Sequence, residues 1–140
     1  MVKPYGQGGA TFQAAGGVEG IQRLVEQFYA IMDTRDYARE IRQMHPEDLT
    51  QSIDKLARFL CGWMGGPKRY QEKYGAIHIP RAHAVFVIHE QHAKAWLRCM
   101  AEALEELAYP EAFKSYLLQQ LAVPAQRIVS MSQRQHGHKA

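Results

Sequence analysis

Apolar residues recur at three- and four-residue intervals in four long stretches, each bounded by residues that stop a helix. From Val18 to Met32 the series Val18, Ile21, Leu24, Val25, Phe28, Tyr29 and Met32 predicts an amphipathic helix, ended by Asp33 to Arg35. Leu49, Ile53, Leu56, Phe59, Leu60, Trp63 and Met64 mark the buried face of a second helix. Asp48 or Thr50 caps it and Gly65-Gly66-Pro67 stops it. A third, from about Glu90 to Ala108, carries Ala93, Trp96, Leu97, Met100, Leu104 and Leu107 on one face. Pro110 separates it from a fourth, about Glu111 to Ser132, with Phe113, Tyr116, Leu117, Leu121, Ile128 and Met131 inward; Pro124 removes an internal hydrogen bond there and predicts a kink. Strand-like alternation and internal repeats are absent from the sequence, so the expected fold class is all-α.

The intervening segments read differently. Residues 1–17 contain Gly6, Gly8, Gly9, Gly16 and Gly17 and no helical period, which predicts a flexible N-terminal arm closing on a Gly-Gly turn. The helical domain is then 18–132, and 133–140 is expected to be a disordered tail. Tyr37 to Met44 fits one or two short turns before His45-Pro46 breaks the chain. Residues 67–80 hold two prolines and a glycine without a sustained period and read as a long ordered loop, a length that usually signals function. After Pro80 a short helix is expected to carry His83 and Phe86.

Composition narrows the function classes. A chain of 140 residues fits one domain. With 46% apolar and 22% charged residues, and no apolar run near the ~18 residues a membrane span needs, it reads as soluble rather than membrane-bound. The formal charge of +3 is spread among nearly equal numbers of acids and bases, with no basic stripe, so nucleic acid is not an expected partner. Cys61 and Cys99 lie inside helical patterns without metal-ligand spacing and read as two buried thiols in a reducing compartment. The first residues lack the apolar core of a secretory signal, and a cytoplasmic location is expected.

Chemistry concentrates in a few side chains. His83 stands in the apolar run Ile79-Pro80-Arg81-Ala82-His83-Ala84-Val85-Phe86-Val87-Ile88. A buried imidazole there needs a partner for its lone pair: a hydrogen bond within the core, or a metal. Tyr29, His45 and Trp96 each carry a polar atom that is costly to bury alone; they are either packing residues or three groups lining one cavity.

Taken together, Gly16-Gly17, Phe28-Tyr29, His45-Pro46-Glu47-Asp48-Leu49, Gly65-Gly66-Pro67 with Tyr70, His83-x-x-Phe86-x-Ile88 and Ala95-Trp96-Leu97-x-Cys99-Met100 resemble the group II truncated haemoglobins in order and spacing, from about residue 12 to residue 132. The resemblance implies a two-over-two helical sandwich around haem b with His83 as the proximal iron ligand. It places Phe86 and Ile88 against that side of the ring. Tyr29, His45 and Trp96 fall at the polar positions of the ligand side, where preplaced donors stabilise a diatomic ligand that gathers negative charge. Ser52 falls where other globins carry a distal histidine, and Leu56 lies one turn further on. Lys55 and Tyr70 match positions that meet the haem propionates. Arg81 stands one residue earlier than the arginine that several relatives place directly before the proximal histidine: either it substitutes for that residue's propionate contact or the contact is lost.

The function so implied is that of a haem globin binding oxygen, with nitric oxide, carbon monoxide or peroxide as further ligands. The alternative is a redox enzyme at the same haem, a nitric oxide dioxygenase or peroxidase-like activity, with Tyr29 and Trp96 as one-electron donors, His45 as proton shuttle and an external reductase. In the ferric state Tyr29 or His45 is a competitor for the open iron position. A cofactor-free helical interaction module is the third reading.

Overall fold

The computed structural model describes residues 5, 6, 8–75 and 88–132, the side chain of Met131 aside. Among them are seven α-helices: α1 (Ala10–Ala14), α2 (Gly17–Thr34), α3 (Arg39–Gln43), α4 (Thr50–Trp63), α5 (Arg69–Tyr74), α6 (Glu90–Glu106) and α7 (Glu111–Ser132), with a 3-10 turn over Asp36–Ala38. Two helix pairs, α2 with α4 and α6 with α7, are joined through contacts between α2 and α6. Phe28, Phe113, Leu24, Met32, Leu60, Met100, Leu104 and Leu117 are fully buried where they meet.

Local chemistry sets the helix ends. Asp48 Oδ1 accepts the Thr50 amide at 2.9 Å and its hydroxyl at 2.7 Å, so Asp48, one residue before the N-cap Leu49, ties down the first residue of α4, and neither Asp48 nor Thr50 is the cap expected from the sequence. At the other end Gly65 takes φ +94°, and Gly66 N–H donates to Cys61 O at 2.9 Å while Gly65 N–H donates to Gly62 O at 3.1 Å. That paired reverse bonding is a Schellman stop, and only glycine adopts the left-handed position without strain. A Cβ on Gly66 would lie 2.4 Å from the Phe12 ring, so the turn's bareness also seats the N-terminal segment.

Several expectations need correction. The arm expected to lack helix through residue 17 contains α1, and Phe12 N–H donates to Met64 O at 3.0 Å, so this part packs against the end of α4. The loop expected over 67–80 contains α5, a single short helix whose aromatic residues face α4 rather than a core and so leave no helical period; 76–80 lie outside the described residues. Val18 is 37% exposed because it sits in the first turn of α2, beyond the reach of α4 and α6. In α7 the buried position is Val129 rather than Ile128, continuing the four-residue series Phe113, Leu117, Leu121; Pro124 lies inside this helix, as expected. The short helix expected around His83 and Phe86 lies outside the described residues.

The burial of α4 differs most informatively. Leu60 and Met64 are buried as expected, together with Ala57 and Cys61, against α2. Leu49, Ile53, Leu56, Phe59 and Trp63, expected in the same core, are only half-buried. At 100° per residue the two sets lie side by side, making one apolar arc wider than a single neighbouring helix covers.

Candidate functional site

Tyr29, His45 and Trp96 come from three separate elements: Tyr29 meets His45 directly and is linked to Trp96 through Phe28. Tyr29 is on the inward face of α2, His45 follows α3, and Trp96 is in the second turn of α6. Phe28 packs edge-on against both Tyr29 (centroids 5.0 Å apart) and Trp96 (4.9 Å), and Tyr29 packs edge-on against His45 at 5.4 Å. The Tyr29 ring is only 5% exposed, and burial pushes its phenol well above the ordinary value. Among the described residues neither its hydroxyl nor the Trp96 indole N–H has a hydrogen-bond partner, and neither atom is fully sealed in; ring contacts and the surrounding apolar core hold both side chains.

His45 is fixed otherwise. Its Nδ1 lies 2.8 Å from Ile41 O, and its amide donates to Arg42 O at 3.1 Å. A carbonyl only accepts, so Nδ1 carries the proton and, in the neutral ring, Nε2 carries the lone pair. The three groups therefore differ: a phenol held protonated, an indole that only donates, and an imidazole that accepts through Nε2 until it is protonated.

Ser52 and Leu56 are half-buried on the same side of α4 as Phe59 and Trp63. Lys55 and Tyr70 come together around Tyr74: Lys55 Nζ stands 5.3 Å from the centre of its ring, and the Tyr70 ring lies 5.1 Å away. Tyr74 and Asp54 escaped the sequence reading. The Asp54 carboxylate accepts from Tyr74 Oη at 2.6 Å, Lys73 Nζ at 2.9 Å and Arg58 Nε at 2.9 Å, which hold it far below the usual carboxylate range. The Asp54–Arg58 spacing of one helical turn was available in the sequence; the 20-residue step to Tyr74 was not. Arg81, His83 and Phe86 lie outside the described residues.

His92 also escaped notice. It is 7% exposed; its Nδ1 accepts the His89 amide at 2.9 Å and its Nε2–H donates to Glu40 on α3 at 3.2 Å. One imidazole thereby caps α6 and ties it to α3. Cys61 and Cys99 are free and buried, and burial raises both thiols, leaving them poor nucleophiles. No helix among the described residues is long and apolar enough to cross a membrane.

The described helices thus leave a broad apolar face on α4 half covered, and bring together one buried and two half-buried polar side chains, Tyr29, His45 and Trp96. The family model described as bacterial-like globin matches residues 10–130. The group 2 truncated hemoglobin YjbI of Bacillus subtilis (strain 168) is 30% identical over 128 residues, covering 89% of this chain and 95% of the relative. Two solved structures align closely. The cold-adapted truncated hemoglobin of the Antarctic marine bacterium Pseudoalteromonas haloplanktis TAC125 gives a TM-score of 0.81 at 28% identity, covering 85% of this chain and 96% of that one. The truncated oxygen-avid haemoglobin of Bacillus subtilis gives 0.76 at 29%, covering 85% and 98%. The chain belongs to the bacterial-like globin family, among the group II truncated hemoglobins, and has their all-α two-on-two fold.

Membership in this family implies a haem cofactor. The residues fit it: Ile53, Leu56, Phe59 and Trp63 offer an apolar wall that the protein only half covers, and Tyr29 and Trp96 bring polar hydrogens with no other acceptor among the described residues.

Proposed function

We propose that the chain holds haem b through His83 and presents Tyr29, His45 and Trp96 to a diatomic ligand, oxygen foremost. The observation that carries this reading is the Tyr29 side chain, only 5% exposed and edge-on to His45, whose hydroxyl has no acceptor among the described residues and is not fully sealed from the space beside it. A hydroxyl so placed, uncommitted to any protein acceptor among the described residues, is available to donate to a ligand seated beside it. When bound, haem supplies the iron that takes the ligand and shifts electron density toward it.

The side chains supply the rest. Burial opposes phenolate formation, so Tyr29 stays a donor throughout the neutral range. Trp96 donates only. His45 accepts through Nε2 when neutral and donates when protonated, which makes it the group able to move a proton. Ser52 and Leu56 add a small polar and an apolar group to the ligand side. In this proposal Lys55, Tyr70 and Arg81 would pair with the haem propionates, and Phe86 would lie on the His83 side of the ring. The oxygen-avid name of the Bacillus subtilis relative supports oxygen as the ligand.

The visible spectrum tests the cofactor: the purified, haem-loaded chain should show a strong Soret band, weakened or absent in His83→Ala. Oxygen dissociation tests the donors, and a rate indifferent to both Tyr29→Phe and Trp96→Phe overturns the oxygen-binding arrangement. The continuous Trp96–Phe28–Tyr29 ring contact favours a second reading, oxidative turnover of nitric oxide or peroxide with an external reductase. Nitric oxide consumption at background, with and without a reductase, removes it.

A further inference from the structure

We propose that Arg42 is the positioning residue of this site, the group that holds His45 beside Tyr29. The proposal rests on the reading of His45 as a ligand-side residue. The Arg42 guanidinium uses all three of its nitrogens: Nε donates to Asp33 Oδ1 at 2.8 Å, Nη1 to Pro46 O at 3.0 Å and Nη2 to Glu47 O at 3.0 Å. Its side chain is only 20% exposed, while the three partners lie at the surface, Asp33 being 57% exposed, so the fork is held by its geometry rather than by burial.

His45 lies inside that frame. Its amide donates to Arg42 O at 3.1 Å, its Nδ1–H to Ile41 O at 2.8 Å, and the next two carbonyls along the chain are those gripped by the guanidinium. Asp33 in turn lies four residues after Tyr29 on α2, so the two share one face of the helix. The clamp therefore references the histidine's position to the same helix face that carries the phenol. The His45-Pro46 break alone does not require this, since proline already turns the chain. Nor does a cation alone achieve it: only a planar fork presents donors to a carboxylate and two carbonyls at once, whereas an ammonium is a single point of charge.

Arg42→Lys is the informative variant because it keeps the charge and the means to pair with Asp33. Oxygen dissociation from the haem-loaded protein should accelerate about fivefold, within the range of coupled neighbouring sites. Added to His45→Ala, the same change should have no further effect. Multiplicative effects in the double variant, or an unchanged rate in Arg42→Lys while His45→Ala alters it, overturn the proposal. A second measurement does not depend on the haem: nitrogen-15 correlation spectra of the His45 ring in the cofactor-free chain. The wild type should show the Nδ1–H form and Arg42→Lys a mixture of forms; identical ring spectra overturn the proposal. If His45→Ala itself leaves dissociation unchanged, it is the ligand-side role of His45 that fails, and the ring spectra still decide the role of Arg42.

Discussion

Tyr29→Phe removes one oxygen atom and leaves every ring contact to Phe28 and His45 in place. A hydrogen bond to a charge-bearing acceptor contributes about 1.5–3 kcal/mol, so oxygen should dissociate roughly 10- to 100-fold faster, as stopped-flow displacement would measure. Asp54 offers a prediction of another kind. Its folded carboxyl is held below its unfolded value by Tyr74, Lys73 and Arg58, so its contribution to stability is present above about pH 4, the unfolded value, and drains away as pH falls through the depressed folded one. Asp54→Asn should therefore lower stability at neutral pH while losing less on acidification than the wild type, by urea unfolding at both ends of the range. At this scale the sequence was readable for placement: Tyr29 and His45 are in ring contact and Trp96 joins them through Phe28, while their part toward a ligand belongs to the proposal. It was opaque where a role arises from long-range partners. Nothing near Arg42 in the chain announces that its fork reaches both Asp33 and the carbonyls of Pro46 and Glu47.

Helix by helix, close approach matters more than propensity. Gly20, inside α2, has no room for a side chain: a Cβ would lie 2.2 Å from the Ala15 carbonyl oxygen, a backbone atom that does not yield easily. Alanine is favoured over glycine within a helix by about 1 kcal/mol, while overpacking costs about 1–3 kcal/mol. Gly20→Ala should accordingly destabilise the protein, lowering the midpoint of thermal unfolding by several degrees. The periodic pattern located α2, α4, α6 and α7 because each buries a continuous stripe. It missed α1 and α5, which are five and six residues long and too short to repeat a period. It also merged the two faces of α4 into one core, since a hydrophobic count does not distinguish a surface that other helices cover from one they leave half covered.

Across the molecule, haem loading and folding are linked. A ligand that binds only the folded chain stabilises it by about 2.7 kcal/mol at a hundredfold excess over its dissociation constant. Urea unfolding followed with and without added haem should show a higher midpoint with haem. A midpoint that does not move would mean the fold does not engage the cofactor. The half-covered arc of α4 has a further consequence, for biosynthesis. A newly made chain carries an apolar stripe of Ile53, Leu56, Phe59 and Trp63 from the moment it folds until it is loaded, and contiguous apolar surface promotes association between molecules. Yield in cells should therefore follow haem supply: when porphyrin synthesis is limiting, chains should shift from the soluble to the aggregated fraction, and replacing Phe59 with a polar residue should keep them soluble at the expense of loading.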